Sequence, residues 1–464
     1  MVKEFLDKLK KNKLIGNLVI ILSSILLIYL ITSIYFINHF FFNTEINGVN
    51  LSLRNYKEAN EILESYINNY SLQIIGRDGR SEDINGRDIE LTYKDKNIIN
   101  YIKKDQSSIK WIESLFSEKD YYIDGLVNFN EETLTKIVDD MDIINKGIVE
   151  PVDVSFKYNN GIYEIESEVY GNKINKDKLI TILIENIRHG EKIVDLEKSL
   201  CYENPKYTSN SDKTIETRDL LNKYVSTKIT YLFAEKKEEL NGDIINNWLK
   251  LDEDLNVVIN EKALEEYIAK LSKNYNTVGI TRKFNTSTGQ IVDVNGGYYG
   301  WKINSVAEEK MLIENIKLGA NLEKEPIYSQ KGLYREEDDI GNTYVEINIT
   351  RQYLWFYKDG KVIAEGGIVT GDPRKGYSTP LGTYMINYKQ RDAVLRGQGY
   401  ESKVSYWMPF NGNIGIHDAS WRYSFGNNIY ENNGTHGCVN SPLSLAKKVY
   451  ENIEAGTPVI CYKE

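Results

Sequence analysis

Apolar and polar positions change their spacing several times along this chain, and each change predicts a different kind of element. Residues 14–37, LIGNLVIILSSILLIYLITSIYFI, carry no charge. As a helix rising 1.5 Å per residue they would extend about 36 Å, enough to cross a hydrocarbon core of about 30 Å. Farther on, Glu131 to about Asp140 and Glu261 to about Ser272 show helical apolar spacing, with Asn130 and Asn260 placed as N-caps. A second helix, Lys176 to His189, should stop at Gly190, and its counterpart at Gly319. Between these helices VDVSFKYNNGIYEIESEV alternates around Asn160-Gly161, the pattern of two strands and a tight turn. From Tyr344 onward alternation dominates: YVEINIT, QYLWFY, a turn at Asp359-Gly360, KVIAEGGIVTG, and then TPLGTYMINY at 379–388. A last helix is expected from Ser441 as N-cap and Pro442 as first helical residue to Ala455, ending at Gly456.

The middle of the chain repeats itself. NEETL at 130–134 returns as NEKAL at 260–264, YGNKIN at 170–175 as YGWKIN at 299–304, and IENIRHG at 184–190 as IENIKLG at 313–319. Register held over so long a span means a duplicated module. The expected architecture is multidomain: a tail at 1–13, a transmembrane helix at 14–37, two α+β modules at 45–207 and 208–332, and a mostly-β domain with a late helix at 338–464. Residues 331–341, KGLYREEDDIG, read as a charged, glycine-bounded link.

Charge excludes one class of partner and orients the chain. A net charge of -10 with no basic stripe beyond the N-terminus argues against nucleic-acid binding. Lys3, Lys8, Lys10, Lys11 and Lys13 precede the apolar run, whereas the first charge after it is Glu45. That bias places the N-terminus in the cytoplasm and everything after about residue 40 outside the cell. A cleaved signal peptide competes with an anchor, but the run is too long for one and no small-x-small site follows it.

Three cysteines, Cys201, Cys438 and Cys461, sit at wide spacings without a CxxC, so neither a disulfide framework nor a zinc site is expected. No cofactor is expected either, and an HExxH metallopeptidase motif is absent. Cys461 in PVICY reads as a buried strand residue and Cys201 as core or loop. His189 suits the last turn of its helix, where a cation meets the dipole, and His39 merely flanks the apolar run. Cys438 in GTHGCVNSP remains. A thiol acts as nucleophile only when ionised, and its ordinary pKa of about 8.5 leaves little thiolate near neutrality without a base. Of the two nearby histidines, His417 in IGIHDASWR is the better base, because it follows an apolar strand and sits on a rigid support. The carbonyl of Asp418 or of its neighbour is placed to hold the other ring nitrogen and fix the tautomer. A tight turn at His436, Gly437 and Cys438 would let consecutive amides converge on a carbonyl oxygen as an oxyanion hole. His417 precedes Cys438, the reverse of the papain-like order.

These residues resemble the signature of the bacterial L,D-transpeptidases with a YkuD-type catalytic domain. His417-Asp418, sixteen residues, then Thr435-His436-Gly437-Cys438-Val439-Asn440 match it, and TPLGTY, MPF at 408–410 and GTPV at 456–459 look like the same family. Threonine replaces the commoner serine before His436. The repeats are similar to the peptidoglycan-binding modules that precede this domain in some Gram-positive enzymes. The resemblance implies a YkuD-like antiparallel β-sandwich and a two-step acyl transfer without a cofactor. Cys438 would attack the third residue of a donor tetrapeptide stem, release D-alanine, and pass the acyl group to the amine of a neighbouring stem. His417 would be the base, the amides from His436 through Gly437 to Cys438 the oxyanion hole, and Asp418, Thr435 and Asn440 supports. Trp421 and Arg422 would lie on the loop over the cleft, where Arg422 either meets a stem carboxylate or is a solvated loop residue beside a core tryptophan. Acylation by carbapenems is implied too. An L,D-carboxypeptidase, in which water replaces the amine, and a catalytically idle wall-binding scaffold are the competing functions.

Overall fold

A computed structural model describes residues 13–464 except 336–337 and 398–399. Lys3, Lys8, Lys10 and Lys11, on which the charge bias rests, lie outside the described residues. The chain divides into two compact units, Met1–Ser155 with Glu166–Ser211, and Phe156–Ile165 with Asp212–Glu464.

In the first unit the apolar helix runs Lys13–Tyr35 and is exposed along nearly its whole length. The helix Glu131–Asp140 begins where the Asn130 side chain accepts the amides of Glu132 and Thr133, as its N-cap position requires. Lys176–His189 ends at Gly190 in the left-handed region, φ 79°. Leu134, Val138, Leu179, Leu183 and Ile187 from these two helices close over Leu72, Ile74 and Ile84, with Cys201 fully buried among them. His189 packs its ring 4.1 Å from that of Tyr122, and His39 stacks on Tyr35.

The expected hairpin forms, Ser155–Asn159 with Ile162–Glu166, and both turn residues have positive φ, 49° at Asn160 and 87° at Gly161. Residues 156–165, however, fold with the second unit. Tyr158 and Tyr163 pack on the core formed by Ile229, Tyr231 and Trp248, and the Tyr158 hydroxyl reaches Asp243 at 3.0 Å. The alternation that announced the strands also supplied the aromatic face that carries them into the neighbouring core. In the same unit the helix Ser305–Leu318 ends at Gly319 with φ 68°. Asn260 stands before the helix Glu261–Tyr275 without a side-chain cap bond.

The charged link read at 331–341 is packed into the second unit at Asp339 and Ile340. Asp339 is buried and receives the Arg282 guanidinium at 2.7 Å on each oxygen, while Ile340 joins Phe284, Val294, Ile460 and Tyr462 in a small apolar cluster.

Among the described residues nine strands build the mostly-β part of the unit: β1 Tyr344–Asn348, β2 Tyr353–Lys358, β3 Lys361–Gly367, β4 Gly382–Met385, β5 Gln390–Gly397, β6 Tyr400–Asn411, β7 Ile414–Asp418, β8 Val439–Ser441 and β9 Pro458–Tyr462. One sheet has the order β3-β2-β1-β9-β4 and the other β5-β6-β7-β8. Most pairings are antiparallel, but β1·β9 and β7·β8 are parallel. Between the sheets Val345, Ile347, Leu354 and Phe356 meet Met408, Phe410, Ile416 and Val439, and the late helix adds Leu445 and Val449. That helix runs Leu443–Asn452, shorter than expected. Pro442 occupies the N-cap position, and Ser441 is instead the last residue of β8, donating its hydroxyl to the His417 carbonyl at 3.2 Å. Cys461 is buried in β9, as its apolar setting predicts.

Candidate active site

Parallel strands cannot be joined by a tight turn, so the β7·β8 pairing demands a long crossover. That crossover is residues 419–438, and it carries Trp421, Arg422, Thr435, His436 and Gly437 before delivering Cys438 at the foot of β8. In the register Ile416 lies beside Val439 and His417 beside Asn440. Ile416 and Val439 point into the core between the sheets. Strand alternation therefore sends His417 and Asn440 to the opposite face, together with Gly415 and Cys438 one step back. A cavity of about 240 Å³ opens there, lined by His417, Trp421, Arg422, Thr435, His436, Cys438 and Asn440, with Leu395, Ser402 and Gly434.

The His417 ring is buried, and its Nδ1 lies 2.8 Å from the main-chain carbonyl oxygen of Asp418. A carbonyl only accepts, so Nδ1 carries the proton and Nε2 is left with its lone pair. Burial pushes the imidazole below its ordinary range, although the Asp418 carbonyl and carboxylate act the other way. Cys438 packs against Ala393, Val404 and Trp407, and its sulfur lies 3.5 Å from the Asn413 carbonyl oxygen. Burial pushes its thiol up to about 11, partly offset by the Gly415 amide. Both shifts favour the uncharged form, of the imidazole at His417 and of the thiol at Cys438.

Thr435 ties the turn before Cys438. Its Oγ1 accepts the Gly437 amide at 3.0 Å and donates to the Cys438 carbonyl at 2.6 Å. The Gly437 amide is consequently turned onto Thr435, which corrects the expectation that three consecutive amides converge on a substrate oxygen. Gly437 itself has φ 115°, and a Cβ there would meet Ile414 Cδ1 at 3.0 Å. The Thr379 hydroxyl donates to the Gly437 carbonyl at 2.7 Å and fastens the turn from the other sheet side. The His436 ring packs 4.5 Å from that of Tyr377.

Two expected site residues do not face the cavity, namely Gly437 and Asp418. The buried Asp418 carboxylate accepts the Tyr406 amide at 2.8 Å across β6. Arg422 lines the cavity, and its guanidinium donates to the carbonyls of Asn433, at 2.7 Å, and Gly434, at 3.4 Å, and so clamps its own loop. Trp421 is exposed rather than core. Asn440 is buried with Oδ1 unpartnered among the described residues, while its main chain pairs with Val369 in both directions. Leu395 and Ser402, from the β5–β6 hairpin, were not anticipated from the sequence, nor was Gly415. A Cβ on Gly415 would fall 2.8 Å from the Trp407 ring, so glycine lets that ring lie against Cys438.

Comparison with known proteins gives consistent results. The L,D-transpeptidase catalytic domain family matches residues 342–461, and the family described as "Putative peptidoglycan binding domain" matches 82–195 and 207–323. A mutant of the Enterococcus faecium L,D-transpeptidase is 32% identical over 53% of this chain and 100% of its own, with TM-score 0.45. The catalytic domain of the E. faecium enzyme acylated by ertapenem is 40% identical over 26% of this chain and 97% of its own, with TM-score 0.25. An L,D-transpeptidase from Mycobacterium tuberculosis is 23% identical over 26% of this chain and 57% of its own, with TM-score 0.24. Comparison with curated proteins returns no match. Since the identity to the E. faecium protein runs over that protein's whole resolved length and the catalytic-domain match falls on the strands that carry His417 and Cys438, the chain belongs to the L,D-transpeptidases, with its catalytic domain preceded by peptidoglycan-binding domains.

Proposed function

We propose that this chain is a membrane-anchored enzyme that cross-links peptidoglycan stems through their third residues by way of a Cys438 thioester. The observation that carries the reading is the β7·β8 register, which lines one cavity with both His417 and Cys438 and leaves His417 Nε2 as the basic nitrogen. His417 Nε2 takes the thiol proton as Sγ attacks the carbonyl carbon of the third stem residue. The resulting oxyanion is held by the amides of His436 and Cys438, the Gly437 amide being bound to Thr435. Collapse breaks the peptide bond, and the proton returns from His417 to the departing amine of D-alanine. An acceptor stem's side-chain amine then attacks the thioester and gives its proton to His417, which passes it to the departing Cys438 sulfur, restoring thiol and neutral imidazole. Asn440, on the cavity wall, would support the site as the Thr435 turn does.

The helix Lys13–Tyr35 would hold the protein in the cell membrane with its N-terminus cytoplasmic. Modules at 45–207 and 208–332 would span or bind the wall, and the domain at 338–464 would act on it from outside. The test incubates the full-length chain and its Cys438→Ala variant with disaccharide-tetrapeptide fragments, and reads products by mass spectrometry. Dimers lacking one D-alanine, formed only by the unaltered chain, are expected. Tripeptide monomers alone would make it a carboxypeptidase, and no turnover across stem types would leave a binding scaffold.

A further inference from the structure

In the first unit a 3-10 helix, Ser108–Leu115, packs along the apolar helix Lys13–Tyr35. The Tyr29 hydroxyl donates to the Ile109 carbonyl at 2.6 Å, and the Trp111 ring lies 6.0 Å from that of Tyr29 and 5.9 Å from that of Phe36. Tyr29 stands six residues before the end of the apolar helix, about 9 Å along its axis. The 3-10 segment therefore lies beside the last turns of that helix and not beyond them. Its apolar side chains are nonetheless open to the surroundings: Ile109 is 64% exposed and Phe116 87%, with Ile112 and Leu115 exposed between them. Four exposed large apolar side chains within eight residues, with exposed Lys110 and Glu113 among them, are unusual on a water-facing surface.

We propose that residues 109–116 form a lipid-contacting patch, seated among the headgroups and upper acyl chains of the leaflet from which the Lys13–Tyr35 helix emerges. This rests on the membrane-span reading above and deepens it: the first unit is seated on the bilayer as well as tethered to it. Two features besides exposure favour lipid as the occupant. A tyrosine hydroxyl at that depth in a bilayer lacks water, and the Ile109 carbonyl satisfies it from the same side the segment occupies. The flanking residues are those of an interface, with exposed Tyr101 as an aromatic anchor and exposed Lys104 and Lys110 able to extend their heads toward phosphates.

The test uses the full-length chain carrying Cys438→Ser, since Cys201 and Cys461 are buried. Single cysteines introduced as Phe116→Cys, Leu22→Cys or Lys57→Cys are labelled with an environment-sensitive fluorophore. Each protein is reconstituted into vesicles of phosphatidylcholine and phosphatidylglycerol containing lipids spin-labelled near the headgroup or deep in the chain. The label at position 116 is expected to shift to the blue and lose most of its emission to the shallow quencher, with the label at 22 quenched by the deep one and that at 57 unchanged. Deep quenching at 22 with a water-like signal at 116 overturns the patch and leaves the anchor standing. No quenching at either position overturns both. A label at 116 that is shielded in detergent only as protein concentration rises means a second copy covers the patch, and likewise overturns the proposal.

Discussion

His417 is oriented by its own chain neighbour: Nδ1 stands 2.8 Å from the main-chain carbonyl oxygen of Asp418, with no side chain needed to fix the tautomer. Burial acts on both reacting groups in the direction of neutrality, depressing the imidazole and raising the thiol to about 11. The pH dependence of Cys438 chemistry follows. Alkylation of Cys438 by iodoacetamide should climb from about pH 7 through about pH 10 without a neutral plateau, because each step upward adds thiolate. A preformed thiolate–imidazolium pair would give a plateau at low pH, and finding one would contradict the neutral resting state. If acyl transfer uses His417 as base, as proposed, its acidic limb should lie below the ordinary histidine range near about 6.5. His417→Ala should lower acyl transfer about 10²–10⁴-fold while leaving alkylation at high pH intact.

Asp418 offers a sharper division between side chain and main chain. Its carboxylate accepts the buried Tyr406 amide, whereas its carbonyl holds His417. Asp418→Ala would strand that amide at a cost of about 1–3 kcal/mol in stability, and Asp418→Asn, which keeps the acceptor oxygen, should cost much less. Activity per folded molecule should survive both. Chemical denaturation together with the turnover assay decides: a large loss of kcat in Asp418→Asn at unchanged stability would mean that the carboxylate takes part in the reaction.

The turn before Cys438 depends on Thr435 and Gly437. Thr435→Ala removes the oxygen that joins the Gly437 amide to the Cys438 carbonyl, and the rate of Cys438 acylation by a carbapenem should fall, with Thr435→Ser restoring it. Gly437→Ala places a Cβ 3.0 Å from Ile414 at φ 115°, a strain of about 1–3 kcal/mol, so it should slow acylation even where the fold persists. Intact-mass time courses read both variants. Equal rates for the threonine, serine and alanine forms would remove Thr435 from any role in shaping the turn.

Much of this site could be read before any fold was known, for reasons that differ by residue. Gly190 and Gly319 announce helix ends because few other residues tolerate the left-handed region they occupy, and the strip 14–37 announces a helix because it has no polar side of its own. The spacing between His417 and Cys438 reflects a crossover of set length between parallel strands. By contrast, the β5–β6 hairpin, whose Leu395 and Ser402 wall the cavity, went unread. Its run QRDAVLRG is charged on one side and only thinly apolar on the other, so alternation barely shows. Ser441 next to a proline looks like a helix cap, but pairing with β7 claims it for a strand, since tertiary hydrogen bonds outweigh a local preference. The destination of the Arg422 guanidinium, on the carbonyls of Asn433 and Gly434, depends on a loop path that no spacing encodes.

The buried pair of Arg282 and Asp339 makes the link at 331–341 part of the fold rather than a tether. Arg282, from the strand Arg282–Asn285, sends Nε and Nη2 to the two oxygens of Asp339 and also donates to the carbonyls of Thr277 and Tyr299. With both side chains withdrawn from water, removing one leaves the other charged and uncompensated. Arg282→Met and Asp339→Ala should therefore each destabilise the second unit by about 3–5 kcal/mol, and the double variant should lose less than the sum of the two. Thermal unfolding followed by calorimetry on the three variants supplies the cycle. Below the transition none of the residues lining the cavity bonds to either member of the pair, and alkylation of Cys438 should proceed at the unaltered rate. Additive losses would show that the two side chains stabilise the unit independently, and the link would then be held by the Ile340 cluster instead.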